Sequence, residues 1–370
     1  MNTIAKKSTV NTWFWAAVAA SAALTVLIAV LGPRLRTAFT LPVDEGSWFY
    51  AWQLANPTFW SRFTAWGFYG LHQVSIWVLV ALAMREKAHL DRVSRITVAF
   101  FLVNLGFSLL HILQTQLWYD GLAQDVPIWS SQYSVIVMLV LILFLMIPRR
   151  GIFLGMKVRL PDRALAFVQR WHGLYISWAL VYTFWFHPTE GVASILTGFF
   201  YMFLLFTQLS VANTRAHFVV GWITVLELLV GLHGPAIALI NTNNGWPMFL
   251  FGFLFMFVFT QQFGFKLHWA VRALIFLAYA AGVVYVYGFL FADTKGLRSI
   301  YQVLFIPAAL YGGAFALVGL SWLLGRGPAR AAAVAQRQRR PLTRGYGSRD
   351  RRAKPSRHGP IAQLVRATDS

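Results

Sequence analysis

Long apolar runs separated by short polar stretches make up most of the chain. Ten runs reach the roughly 20 residues that an α-helix needs to cross a bilayer. They are predicted at Thr12–Gly32, Trp66–Met84, Ile96–Thr115, Trp129–Ile147, Leu165–Phe186, Ala193–Ala212, Phe218–Ile240, Pro247–Phe263, Trp269–Ala292 and Ser299–Leu324. The pattern predicts an all-α fold, a polytopic bundle of about ten transmembrane helices within residues 1–325.

The first run follows a short polar segment that contains Lys6 and Lys7. It is longer than the roughly 7–15 residues of a signal-peptide core, and no cleavage site followed by a soluble domain is recognisable. We therefore expect it to be a retained transmembrane helix. The segment 33–63 is rich in prolines and aromatic residues, which is typical of an interfacial connection with a short helix lying flat.

Basic residues concentrate in alternate connections between the runs. One side carries Lys6, Lys7, Arg85, Lys87, Arg92, Arg95, Arg149, Arg150, Lys157, Arg159, Arg163, Arg215, Lys266 and Arg272. The other side is poorer in them, with Arg34, Arg36, Arg62, Lys295 and Arg298 as the main exceptions. Because basic loops stay in the cytoplasm, we predict cytoplasmic termini and a multi-pass protein of the bacterial inner membrane.

Composition supports the membrane assignment. The chain of 370 residues is 58% hydrophobic and 12% charged, whereas soluble domains carry about 25% charged residues. It has no cysteine, which excludes disulfides, thiolate metal ligands and thiolate-bound iron–sulfur clusters. A metal ion would therefore need histidine or oxygen ligands.

Half of the positive charge lies in the last part of the chain. The formal net charge is +20, and residues 326–370 contain twelve Lys and Arg against two Asp, a contribution of +10. This segment has a disordered composition, and its end, GPIAQLVRATDS, resembles the conceptual translation of a transfer-RNA gene. We predict a separate, functionally inert tail; attraction to acidic lipids is the alternative. The expected partner is the lipid bilayer, with no nucleic acid.

Four histidines share one predicted depth near the outer ends of their runs: His72, His111, His187 and His233. Imidazole is a ligand for zinc, copper and iron, so these four are the candidate metal ligands. The leading hypothesis is a metal or haem redox protein acting near the outer leaflet. The alternative is that these histidines form hydrogen bonds at the membrane interface.

The fifth and seventh runs each carry a second, inner histidine, His172 and His217. Transmembrane haem proteins use histidines from two helices, so these residues are candidate ligands of an inner haem paired with an outer one. At about 100° per residue, His187 lies roughly 60° from the face of His172, but His233 lies roughly 160° from that of His217. The angular separation weakens the two-haem hypothesis.

Glu227 is the acidic residue nearest the centre of a run. A carboxyl group in an apolar surrounding is a natural proton-binding site, so Glu227 is the candidate catalytic or coupling residue. The second hypothesis is a proton-coupled transporter of a small or amphiphilic solute. A purely structural alternative is a hydrogen bond from Glu227 to Gln208 or Thr224.

A third hypothesis is a lipid head-group transferase at the cytoplasmic face, where Arg170, His172, Lys266 and His268 could hold a phosphate. On the outer side, five acids could act with the histidines as oxygen ligands or acid–base partners: Asp44, Glu45, Asp120, Asp125 and Glu190. The sequence contains no phosphate-binding glycine loop, HExxH or GxSxG motif. It leaves the substrate, the oligomeric state and the choice between enzyme and transporter open.

Overall fold

The computed structural model describes residues 2–41, 52–86, 90–240, 245–292 and 296–325. Within these ranges the protein is all-α and contains no strand, only an isolated bridge between Phe153 and Met156. The helices are α1 (Asn2–Ala38), α2 (Phe59–Ala83), α3 (Arg95–Trp118), α4 (Ile128–Arg150), α5 (Asp162–Phe186), α6 (Ala193–Ser210), α7 (Val220–Ile240), α8 (Trp246–Phe259), α9 (Trp269–Tyr285) and α10 (Phe305–Gly325). Each helix occupies one of the predicted runs.

In the described part of the chain, nine helices are long and apolar enough to cross a membrane. The exception is α5, which has 25 residues but is rich in tryptophan and tyrosine and carries several charged and polar residues in its first half. Many large apolar side chains on the outer surfaces of the helices are exposed, among them Trp15, Leu232, Leu274 and Leu323. Several apolar helices with apolar outer surfaces indicate a multi-pass membrane protein.

Local sequence explains where several helices begin. Thr58 caps α2 by accepting a hydrogen bond from the Ser61 amide, and the Ser61 hydroxyl accepts one from the Thr58 amide. This capping box starts α2 seven residues before the predicted Trp66. Ser94 caps α3 in the same way through the Thr97 amide.

The predicted interfacial connection at 33–63 is shorter than expected, because α1 continues through Pro33 to Ala38. Neighbouring polypeptide supports α1 at this point: Gly32 lies directly against Gly191 of the α5–α6 connection. A Cβ atom built on Gly32 would be 2.3 Å from the Gly191 Cα. Glycine is therefore required at this crossing.

The core of the described residues has four parts, of which the smallest joins Val10 of α1 with Val211 and Ala216 after α6. The largest cluster joins α2, α3, α5 and α6, with α1 against α6. A second cluster joins α4, α8 and α10. A third joins α8, α9 and the 3-10 helix Leu297–Leu304. Two helices of the first cluster, α2 and α3, carry the buried histidines His72 and His111.

Contacts between connections confirm that the helices alternate in direction. At one end Arg36 pairs with Glu190, and Arg62 pairs with Asp125; this is the predicted outer end. At the other, the predicted cytoplasmic end, the Arg215 amide donates to the Leu90 carbonyl and the Leu154 amide to the Phe259 carbonyl. Which end faces the cytoplasm stays a prediction, as do the tail at 326–370 and its separation from the helical domain, since the tail lies outside the described residues.

Candidate functional site: a buried ion pair and an interior histidine chain

Glu227 is paired with a charged residue, whereas the sequence suggested only Gln208 or Thr224 as structural partners. Its two carboxylate oxygens accept hydrogen bonds from Nη1 of Arg150 at 2.8 and 2.7 Å. Both side chains are 8% exposed. The sequence places Arg150 in a charged cytoplasmic connection, but α4 continues through Pro148 to Arg150. Glu227 lies seven residues after Val220, the first residue of α7, a rise of about 10 Å from that end of the helix.

Gln208, one of the two alternative partners suggested for Glu227, is engaged elsewhere. The Gln208 side chain donates to the His217 carbonyl at 3.1 Å and accepts from Nε1 of Trp222 at 2.8 Å. Its amide thereby fastens the start of α7 to α6. Of Gln208 and Arg150, only Arg150 forms a hydrogen bond with Glu227.

The α8–α9 connection passes beside Arg150. A Cβ atom on Gly264 would lie 3.4 Å from the Arg150 Cβ, so the backbone passes close to this residue. The Thr260 hydroxyl donates to the Ile152 carbonyl at 3.0 Å and contacts the Tyr311 hydroxyl. Nε of Arg150 is buried and has no hydrogen-bond partner.

Among the helices of the first core cluster, His72 of α2 is fully buried and held by two hydrogen bonds. Nδ1 accepts from Nε1 of Trp185 at 3.1 Å. Nε2, 3.1 Å from Oδ1 of Asn104, must therefore carry the hydrogen and donate it. Both ring nitrogens are thus committed to protein partners, and the imidazole is neutral.

His111 lies next to this group, with its ring centroid 4.2 Å from that of Trp185. Nε2 is 2.8 Å from the His187 carbonyl oxygen and donates to it. Nδ1 is 3.0 Å from Oε1 of Gln114. His72, Trp185, His111 and the His187 backbone are therefore linked in series by two hydrogen bonds and one ring contact. We call this series the histidine chain.

His233 is attached to α6 by a hydrogen bond, and His187 lies near enough to interact electrostatically with both His233 and His111. Nδ1 lies 3.1 Å from the Thr197 hydroxyl, which already donates to the Ser194 carbonyl at 2.9 Å. The Thr197 oxygen therefore accepts from His233. A Cβ atom on Gly198 would lie 3.0 Å from the ring of His233, so the histidine packs closely on α6.

The predicted metal site finds no support in this arrangement. Across the described ranges there is no group of three or more His, Cys, Asp or Glu placed to hold a metal ion. The hydrogen bonds of His72 and His111 also use the nitrogens that a metal would need. Metal or haem binding by His72, His111, His187 and His233 stays a prediction from sequence.

The inner histidines each donate to a carbonyl. Nδ1 of His172 is 2.8 Å from the Gln169 oxygen, and Nδ1 of His217 is 3.2 Å from the Gln208 oxygen. These bonds orient the rings, and a role as haem ligands is not tested by them. Two residues of the predicted lipid head-group site have structural contacts. His268 is the N-cap of α9, and the Arg170 guanidinium lies 5.5 Å from the centre of the Trp171 ring.

A stripe of buried polar residues on α3 was not predicted. Asn104, Ser108, His111 and Thr115 follow one another at intervals of four, three and four residues, and all are buried. That spacing keeps them on one face of a helix and was readable from the sequence. Opposite them on α2, both side-chain polar atoms of Gln73 are buried without a hydrogen-bond partner.

Of the five outer acids, Asp125 is bound at the surface by Arg62 and by Nε1 of Trp66 at 2.8 Å. Asp120 and Glu190 are buried beside the histidine chain. Asp44 and Glu45 lie outside the described residues. No protein-family model matches the chain, and no curated protein or solved structure is significantly similar to it, so its function has to be inferred from these residues.

Proposed function

We propose that the protein is a multi-pass membrane transporter that couples movement of a small or amphiphilic solute to protons, with Glu227 as the proton-binding residue. The observation that carries this proposal is the buried ion pair that joins Glu227 of α7 to Arg150 of α4. Ionisable side chains within apolar spans are rare and mark substrate, ion or proton pathways.

A buried ion pair is a poor means of stabilisation alone. Removing two charges from water costs several kcal/mol per ion, and well-packed apolar residues of similar volume often give equal or greater stability. An interior Arg150–Glu227 pair therefore favours a role in which the charge changes. Protonation of Glu227 is the simplest such change, because it leaves the guanidinium of Arg150 without a counter-charge.

The uncompensated guanidinium provides the physical link between proton and solute. Its planar donors suit carboxylate and phosphate groups, and its Nε is already unpartnered in the interior. Arg149, next to it at the end of α4, adds a second positive charge. The solute class we propose is an anionic or amphiphilic acid, bound by Arg150 when Glu227 is protonated and released when Glu227 ionises.

Transport is tested with purified protein in liposomes that contain a pH-sensitive dye. A panel of carboxylate and phosphate solutes is applied, with neutral analogues for comparison, and proton movement into the lumen is recorded. We expect an acid-specific proton flux in the wild type that falls to the level of protein-free liposomes in Glu227→Gln. Asp91→Asn is the matched control, because Asp91 pairs with Arg215 at the surface; an unchanged flux in Glu227→Gln would exclude Glu227 from the mechanism.

Proton binding can be measured without knowing the solute. Infrared difference spectra between high and low pH should contain the carbonyl stretch of a protonated carboxyl group in the wild type and in Asp91→Asn, and Glu227→Gln should lack that component. Equal spectra of Glu227→Gln and the wild type at all pH values would contradict the assignment of Glu227 as the proton-binding residue.

A further inference from the structure

The first half of α5 has a composition of its own. It carries charged and polar side chains beside aromatic ones: Asp162, Arg163, Gln169, Arg170 and His172. In the described part of the chain, α5 is not among the nine helices that are apolar enough to cross a membrane. Its second half, from Ser177 to Phe186, is mostly buried in the first core cluster. Packing in the core therefore explains the second half of α5 and leaves the first half unexplained.

One face of this first half is exposed and combines arginine with aromatic side chains. Arg163 and Arg170 are exposed, and Phe167 is 65% exposed. Residues four and seven positions apart return to within about 40° of one direction on a helix, so Phe167 and both arginines share a face. Trp171 borders it, 41% exposed, with the Arg170 guanidinium 5.5 Å from its ring centre. We call these four residues the basic aromatic face of α5.

Contact with α2 gives the depth of this face. A Cβ atom on Gly173 would lie 3.4 Å from a methyl carbon of Val80. The two helices run in opposite directions, so three residues lead from Val80 to Ala83, the last residue of α2, and three lead from Gly173 to Arg170. Arg170 is therefore level with the end of α2. Arg163 lies about 10 Å further toward the predicted cytoplasmic side, so the face extends from the end of the apolar span into the head-group layer.

Neither arginine has an acidic partner within the described ranges. The ion pairs formed there use other arginines, namely Arg36, Arg62, Arg150 and Arg215. Guanidinium groups bind phosphate through paired donors, and aromatic side chains favour the boundary between head groups and hydrocarbon. The face thus offers complementary groups to both parts of an acidic phospholipid.

We propose that the basic aromatic face of α5 binds an acidic phospholipid. Arg163 and Arg170 provide positive charge for the phosphate group, and Phe167 and Trp171 provide apolar surface for the glycerol esters and the first acyl methylenes. A general excess of basic residues would attract acidic lipids without preference for a position. Two arginines around an exposed aromatic side chain on one helix face define a site. The proposal does not rest on transport, because it involves neither member of the Arg150–Glu227 pair.

The test uses the full-length protein in an uncharged detergent, with dioleoyl phosphatidylglycerol as the probe and dioleoyl phosphatidylcholine as the reference. A lipid that binds the folded state raises the thermal unfolding midpoint in a saturable way. We expect such a shift for phosphatidylglycerol and none for phosphatidylcholine. The half-saturating concentration should rise roughly thirtyfold in the double variant Arg163→Gln with Arg170→Gln, which removes two positive charges from the head group. It should rise severalfold in Phe167→Ser, which keeps both charges.

The matched control is the double variant Arg92→Gln with Arg95→Gln, which removes two exposed arginines of the same end that are not on α5. It should keep the wild-type half-saturating concentration. Glycerol phosphate distinguishes a lipid from a free phosphate compound and should give no shift. The proposal is overturned if phosphatidylcholine or glycerol phosphate matches phosphatidylglycerol, or if the two double variants respond alike. If the α5 double variant does not fold, a wild-type response of Phe167→Ser overturns it.

Discussion

At the residue scale, Arg150 and His72 show two ways in which a polar side chain is kept inside an apolar bundle. Arg150 belongs by sequence to a charged connection, yet its guanidinium meets Glu227 in the interior. His72 is neutral and uses both nitrogens within the protein. One group holds a charge that can be changed by a proton, and the other is a fixed part of the packing.

The changeable charge of the pair predicts that a single substitution of Arg150 is more destabilising than the substitution of Arg150 and Glu227 together. Arg150→Met leaves Glu227 buried without a counter-charge and should destabilise the protein by about 3–5 kcal/mol. The double variant Arg150→Met with Glu227→Gln should recover most of that loss, because no charge is left buried. Unfolding in mixed micelles measures both; a single variant as stable as the wild type would contradict the interior location of the pair.

For His72, removal of the donor is the informative change. Trp185→Phe leaves Nδ1 of a fully buried imidazole without its partner, which should cost about 1–3 kcal/mol of stability. Trp269→Phe is the control, since Trp269 is 72% exposed. Equal stability of the two variants would show that the Trp185–His72 hydrogen bond contributes nothing.

At the element scale, the crossing of α1 with the α5–α6 connection depends on two glycines. The sequence predicts where α1 lies, but the contact of Gly32 with Gly191 joins residues that are distant in the chain and leaves no local signal. The polar stripe of α3 is different: its spacing is visible in the sequence, and the structure adds which helices it faces. Local periodicity was therefore readable, and pairing between helices was not.

The crossing predicts a contrast between two glycine substitutions within helices. Gly32→Ala puts a methyl group against the Gly191 backbone and should destabilise by about 1–3 kcal/mol. Gly106→Ala in α3 meets nothing within 4 Å and should be neutral or stabilising by up to about 1 kcal/mol. Thermal unfolding of the two variants checks this; a neutral Gly32→Ala would show that α1 does not touch this connection.

At the scale of the whole molecule, the predicted runs give the positions of all ten helices, because length and apolarity are properties of each segment by itself. The sequence did not give the ion pair of Glu227, since that pairing depends on α4 and α7 approaching each other at one end. It named Asp120 and Glu190 only within a larger set of outer acids. The structure distinguishes these two acids, which are buried near the end of α3, from Asp125, which pairs with Arg62 at the surface.

The absence of cysteine makes the orientation directly testable. Asn56→Cys lies before α2 at the predicted outer end, and Lys157→Cys lies between α4 and α5 at the predicted cytoplasmic end; both positions are exposed. In intact spheroplasts, a membrane-impermeant thiol reagent should label the first and not the second, and inverted vesicles should reverse the result. The reverse pattern in spheroplasts would place the termini outside.

The ion pair also sets an order on biogenesis. Arg150 is synthesised 77 residues before Glu227, so α4 is complete before the ribosome makes the carboxylate that will meet it. Until α7 arrives, the guanidinium can remain at the aqueous boundary of the growing bundle, where its long side chain reaches water. Entry of α7 in a wrong position would leave two unmatched charges in an apolar surrounding.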